Sequence, residues 1–132
     1  MSTESLSSVA PVFAVDDVDA TARWYHEVLG FEFGIHPEEL PAEFAILSRD
    51  GVEIFLQRVE GYRKPDLSAR RAGGVWDAYL QVTGLSGLWK RVSELPGARG
   101  PESRWYGQRE VEVRDPNGYR LVFAERTNGG EA

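Results

Sequence analysis

The constraint that bears hardest on this chain is an internal repeat. In WYGQREVEVRDPNGYRLVFAE, residues 105 to 125, Val111 and Val113 alternate with Glu110 and Glu112 ahead of an Asp115-Pro116-Asn117-Gly118 turn, and Leu121 and Phe123 alternate with Arg120 and Val122 beyond it. Period-two alternation on both sides of such a turn predicts a β-hairpin with one apolar face. FAILSRDGVEIFLQ, residues 44 to 57, is a shorter copy, and its turn glycine, Gly51, precedes Gly118 by 67 residues (118 − 51). Val15 and Val82 keep the same offset of 67, as do Gly30 and Gly97, each placed where a helix stops. Each half therefore reads as strand, helix, then three strands. A period this long is not a solenoid repeat, because two copies can pair only with each other.

The predicted class is α+β, with two βαβββ modules forming a curved mixed sheet around a cleft and helices on the outside. The first module covers residues 8 to 60 and the second 75 to 126. GYRKPDLSARRAGG, residues 61 to 74, has no apolar period and reads as the linker, within a single domain spanning 1 to 132. Residues 1 to 7 are small and polar, an expected loose arm. Asp16 or Asp17 should cap the first helix, whose apolar stripe is Val18, Ala22, Tyr25, Val28 and Leu29, ended by Gly30.

With 132 residues the chain can bury about two thirds of its unfolded surface in one core. Its 21 acidic and 15 basic side chains give a net charge of −6, which argues against nucleic acid bound by phosphate neutralisation. No apolar run approaches the ~20 residues of a membrane span, and MSTESLSS lacks a basic segment followed by an apolar one, so a cytoplasmic protein off the membrane is expected. Zero cysteines exclude thiolate metal sites, disulfides and a cysteine nucleophile.

Alternation also assigns faces. Carried through the repeat, it puts Phe44, Ile46, Val52, Ile54 and Leu56 under the first helix, and Trp76, Val111, Val113, Leu121 and Phe123 under the second, with Val9, Pro11, Phe13 and Val15 beside the first set. The opposite faces carry Phe55, Tyr79 and small residues, together with Glu43, Glu53, Asp77, Glu110 and Glu112 against Arg120 alone. A pocket on that side would be acidic and suited to a positively charged ligand. Its stacking surfaces are expected from Trp105, Tyr106, Phe33 and Phe55.

The run Val15-Asp16-Asp17-Val18, then Trp24-Tyr25, Leu29-Gly30-Phe31, Tyr106-Gly107-Gln108-Arg109-Glu110 and Arg114-Asp115-Pro116-Asn117-Gly118 resembles the glyoxalase, bleomycin-resistance and extradiol-dioxygenase superfamily, the vicinal oxygen chelate group. The resemblance spans residues 8 to 126 and is nearest to the bleomycin-resistance branch. It implies paired modules, a cleft commonly built between two chains, and hence a homodimer with an exchanged N-terminal strand. In the superfamily's enzymes it also implies a divalent metal held by His, Glu or Gln from the first and last strands of each module. Those positions fall here on Ala10, Phe55, Asp77 and Val122, and three of the four cannot ligate a metal. His26 and His36 lie on a helix and in a loop.

The sequence therefore points to a protein without metal or other cofactor and without catalytic residues. It should sequester a cationic or amphipathic aromatic small molecule, with antibiotic resistance as the role that the resemblance suggests. The expected ligand-binding set is Phe33, Phe55, Asp77, Tyr79, Trp105, Tyr106, Glu110, Glu112 and Arg120. The alternative is an enzyme of the same fold, a metal-dependent lyase, isomerase or dioxygenase with an unusual site.

Overall fold

Val12–Val15 (β1) runs parallel to Val52–Arg58 (β4), and Ala78–Gln81 (β5) runs parallel to Arg120–Arg126 (β8), in a computed structural model that describes residues 3 to 127. Val12 pairs with Phe55 and Tyr79 with Val122, so the offset of 67 holds on both strands (79 − 12 and 122 − 55). The first unit completes its sheet with Glu32–His36 (β2) and Phe44–Arg49 (β3), in the order β1-β4-β3-β2. The second adds Arg99–Arg104 (β6) and Gln108–Arg114 (β7), in the order β5-β8-β7-β6. These are two four-stranded mixed sheets, each with one long helix, and the chain divides between them after Tyr62.

Helix α1 spans Val18–Leu29. Asp17 caps it by accepting the Ala20 N–H at 2.9 Å, and Gly30 ends it at φ 74°, a conformation that costs glycine nothing. Val18, Ala22, Tyr25 and Leu29 are buried in one stripe, each large side chain contributing about 1.5–3 kcal/mol by leaving water. Helix α2, Leu85–Val92, has no cap from its own first residue. The Glu125 carboxylate on β8 instead accepts the Gly84 and Leu85 N–H groups at 3.0 and 3.1 Å, a negative charge against the positive end of the helix. Among the described residues no helix is long and apolar enough to cross a membrane.

The repeat slips on one strand, and the slip corrects the face assignment. Ala45 pairs with Leu56 and Leu47 with Ile54, and all four are buried; Phe44 and Ile46 lie on the other face with Phe55, and Ile46 is 41% exposed. In the second unit Val111 pairs with Phe123 and Val113 with Leu121, all buried as expected. The physical cause is the turn. Two residues separate the last pair of the first hairpin, Arg49 and Val52, whereas five separate Arg114 and Arg120, and an odd difference in loop length moves one strand by one residue against its repeat equivalent.

Three other expectations need correction. Val9 and Val52 are exposed rather than core, because β1 begins only at Val12 and Val52 sits at the hairpin mouth. Trp76 is 40% exposed because β5 begins two residues later, so strand alternation does not reach it. Strand β6 falls partly in a stretch that reads as loop, since Gly97, Gly100 and Pro101 obscure its pattern; Gly100 and Pro101 form a bulge where the β6–β7 register shifts. At the N-terminus, residues 3 to 11 hold no regular structure and leave Leu6 and Val9 in solvent, while the first two residues of the expected arm lie outside the described residues.

Candidate functional site

In the second unit the strand face turned away from α2 carries Tyr79, Glu110, Glu112 and Val122. Here a pocket of about 220 Å³ is lined by Trp76, Arg99, Arg104, Glu110, Glu112 and Val122, with Gly73, Gly100 and Glu102 at its edges. Its chemistry begins with two carboxylates that alternation forces onto one face of β7 and then buries, Glu110 at 4% and Glu112 at 8% exposure. Such burial is tolerable only with partners.

Glu110 is the better supplied. Tyr79 Oη donates to its Oε2 at 2.7 Å, Tyr106 Oη donates to the same oxygen, and Arg104 Nε donates to Oε1 at 2.8 Å. Burial works against the charge of Glu110, but the hydrogen bonds from Tyr106, Arg104 and Tyr79 outweigh it and hold the carboxyl below its ordinary value. The same contacts move the phenols the other way. Burial, then the hydrogen bond to the Glu110 anion, raises Tyr79 strongly and Tyr106 less. Arg104 also donates Nη1 to Glu102 at 3.3 Å, which offsets the repulsion between Glu102 and Glu110, directly opposed on β6 and β7.

Glu112 is held from two sides. Arg120 Nη1 donates to Oε2 at 2.8 Å and Arg99 Nη2 to Oε1 at 3.1 Å; the Arg120 and Glu112 side chains are only 7% and 9% exposed. Gly74 permits this, since a Cβ there would stand 2.8 Å from Arg120 Nη1. Asp77 has a mainly structural role. Its carboxylate accepts the Arg120 backbone N–H at 2.8 Å while its own N–H donates to the Arg120 carbonyl, and Lys64 Nζ lies 3.4 Å from it.

The expected site residues thus separate into groups. Tyr79, Tyr106 and Glu110 form one hydrogen-bonded cluster, and Glu112 and Arg120 a neighbouring ion pair. Trp105 stands 94% exposed at the β6–β7 turn, edge-on to Tyr106 with ring centroids 5.2 Å apart. In the first unit Phe33 lies against His26 and Phe55 against Phe44, both edge-on. Trp76, Arg99 and Arg104 were not among the expected residues, and the last two change the charge balance. The acidic face expected with Arg120 as its only base is corrected: each buried carboxylate has an arginine supplied by β6 or β8, and Asp77 has Lys64. The signal was legible: RGPESR carries a base at each end, and antiparallel pairing with β7 brings them to Glu112 and Glu110.

A larger hollow in the first unit, about 440 Å³ between the start of α1 and the loop at Leu40 and Pro41, has most of its polar groups committed elsewhere, with Asp19 Oδ1 buried and unpartnered. Asp17 caps α1, Asp16 accepts the Gly61 N–H, and Arg58 pairs with Glu43 and Glu60. Among the described residues no three His, Cys, Asp or Glu side chains stand together as a metal centre requires. At the positions where the resemblance implies a metal set, Ala10, Phe55 and Val122 have no donor atoms in their side chains, so those residues with Asp77 do not fit a metal.

The Glu110 cluster makes a pH-dependent contribution. A carboxyl lowered by folding stabilises fully above its ordinary value of 4.5, and that contribution is lost as pH falls through the lower folded value. Urea titrations from pH 6 to pH 3 should therefore show native protein losing more stability than Glu110→Gln. Parallel losses in the two proteins would show that Glu110 carries no such linkage.

Comparison with known proteins places these features in context. The profile of the Glyoxalase/Bleomycin resistance protein/Dioxygenase superfamily matches residues 6–123. No curated protein matches the sequence. Among solved structures, a glyoxalase-related enzyme from Clostridium phytofermentans superposes with a TM-score of 0.73 at 17% identity, covering 94% of this chain and 98% of that one. The bleomycin resistance determinant encoded on the transposon Tn5 gives 0.66 at 21% identity, with 92% and 98% covered. A bleomycin-binding protein from bleomycin-producing Streptomyces verticillus, complexed with copper(II)-bleomycin, gives 0.64 at 20% identity, with 96% and 99% covered. At these identities the likeness is one of fold.

Proposed function

The chain belongs to the glyoxalase/bleomycin resistance protein/dioxygenase superfamily, and from that premise we propose that it is a metal-independent binding protein that sequesters an amphipathic aromatic small molecule. The observation that carries this reading is the state of the ionisable groups around the pocket. A general acid or base works best with a pKa near the working pH. Here, against the effect of burial, the hydrogen bonds from Tyr106, Arg104 and Tyr79 push the Glu110 carboxyl down, and burial with the bond to Glu110 pushes the two phenols up, each further from the neutral range than an ordinary carboxyl or phenol. Groups fixed in this way make a poor relay for protons, and through Glu110 they hold Arg104 in place at the pocket. Trp76 supplies an exposed ring beside it, tilted against Tyr79 with centroids 5.6 Å apart.

The bleomycin-binding neighbour supports small-molecule binding, and the missing donor atoms at Ala10, Phe55 and Val122 support the absence of metal from it. A thermal-shift screen of amphipathic aromatic compounds tests both parts. Hits should raise the melting temperature equally with and without added zinc or nickel, and Trp76→Ala should abolish the shifts. Hits that depend on metal would overturn the reading. A homodimer is part of it, because Leu6, Val9, Val12 and Ile46 leave apolar side chains in solvent. Sedimentation should give twice the 14.8 kDa of the chain, and a monomer that still binds would remove the shared cleft.

A further inference from the structure

The hydrogen bonds around the pocket leave an unequal remainder. Both oxygens of Glu110 and both oxygens of Glu112 already accept from protein donors. The two phenols spend their only protons on Glu110, and neither belongs to the pocket lining. The arginines at the rim are less occupied. A guanidinium carries five N–H groups; among the described residues Arg99 commits an N–H only to Glu112, and Arg104 commits N–H groups only to Glu110 and Glu102. The Arg99 side chain is 58% exposed and that of Arg104 34%, so their uncommitted edges are reachable from solvent. Glu102 lines the same pocket and accepts one Arg104 N–H at 3.3 Å, while its charge, with the side chain 63% exposed, is largely screened by water as is that of Arg99.

We propose that the pocket takes a planar aromatic ligand bearing a carboxylate or similar oxyanion, with the ring against Trp76 and the oxygens on the guanidinium groups of Arg99 and Arg104. This rests on the binding reading above and gives it a sign, opposite to the cationic ligand that the sequence suggested. Every oxygen of the buried carboxylates already accepts at least one hydrogen bond from an arginine or a tyrosine, and the carboxylates serve to aim the arginines. Arg99 is fixed through Glu112, and Arg104 through Glu110, leaving their planar forks preorganised for the paired oxygens of an anion.

The test uses three probes with one ring system: 2-naphthoate, 2-naphthamide and 2-naphthylmethylamine, titrated by calorimetry at constant ionic strength. Naphthoate should bind tightest, and Arg99→Gln should weaken it about ten-fold through the lost charged hydrogen bond while changing the amide less than about two-fold. Arg99→Gln leaves Arg120 on Glu112, so the fold is kept. Arg99→Lys, which retains charge without the fork, should recover only part of the loss. If the amine binds tightest and Trp76→Ala removes that binding, the pocket binds ligands and the proposed sign is wrong. If Arg99→Gln leaves naphthoate unchanged, the arginine fork is wrong. Absence of saturable binding by all three probes would overturn both this proposal and the binding reading beneath it.

Discussion

Gly100→Ala should be among the most damaging single substitutions in the second unit, lowering stability by about 3 kcal/mol or more and the melting temperature by roughly 10 °C. Gly100 sits in the β6 bulge at φ 120°, a region L residues avoid, and a Cβ there would come within 2.6 Å of the Glu110 carbonyl oxygen and 3.2 Å of the Val111 Cα. Both contacts are with backbone, so no side-chain rotation relieves them. Gly118→Ala is the matching control, since Gly118 also has positive φ, 90°, but a Cβ would meet nothing within 4 Å. The difference between the two variants in urea unfolding isolates the close approach from the backbone strain. Equal losses would show that the bulge opens to admit the methyl group. Because β6 carries Arg99 and Arg104, its displacement should also move the rim of the pocket.

Glu112→Gln should cost about 3–5 kcal/mol, because it leaves Arg120 charged and buried without its carboxylate. The pair is nearly dry, with side chains 7% and 9% exposed and a 2.8 Å separation, and the cost should change little with salt. Arg99→Gln, on the exposed side of the same carboxylate, should cost less than about 1 kcal/mol. The double variant Glu112→Gln with Arg120→Gln should recover part of the loss, since both charges then leave together. A double-mutant cycle from urea melts gives the coupling directly, and a value near zero would mean that water reaches Arg120 and replaces the carboxylate.

Much of this could be read from residue order. Period two identifies both hairpins, the offset of 67 recurs in the parallel pairings of β1 with β4 and β5 with β8, and Asp17 and Gly30 bound α1 as their chemistry requires. Glu110 and Glu112 were correctly placed on the face opposite Val111 and Val113. The partners of those carboxylates were harder to find, because a strand holding Gly100 and Pro101 loses its alternation where it bulges, and so Arg99 and Arg104 went uncounted. Trp76 lies outside the pattern for the converse reason: β5 begins only at Ala78, so strand alternation does not reach it. Charge summed along one hairpin misjudges a pocket whose compensation arrives from its neighbours.

The unequal turns of the two hairpins act as a parity switch. Lengthening a connection by an odd number of residues exchanges which alternate set of side chains the helix covers, with no change in the composition of the strand. With two residues in the turn, β3 buries Ala45 and Leu47 and shows Phe44 and Ile46; with five, β7 buries Val111 and Val113 and turns Glu110 and Glu112 away from the helix. A duplicated hairpin can therefore turn a different alternate set of its side chains outward through a change in turn length alone. In this chain parity decides which set faces outward, and the residues of each strand then make β3 pack aromatic rings and β7 hold arginines in place.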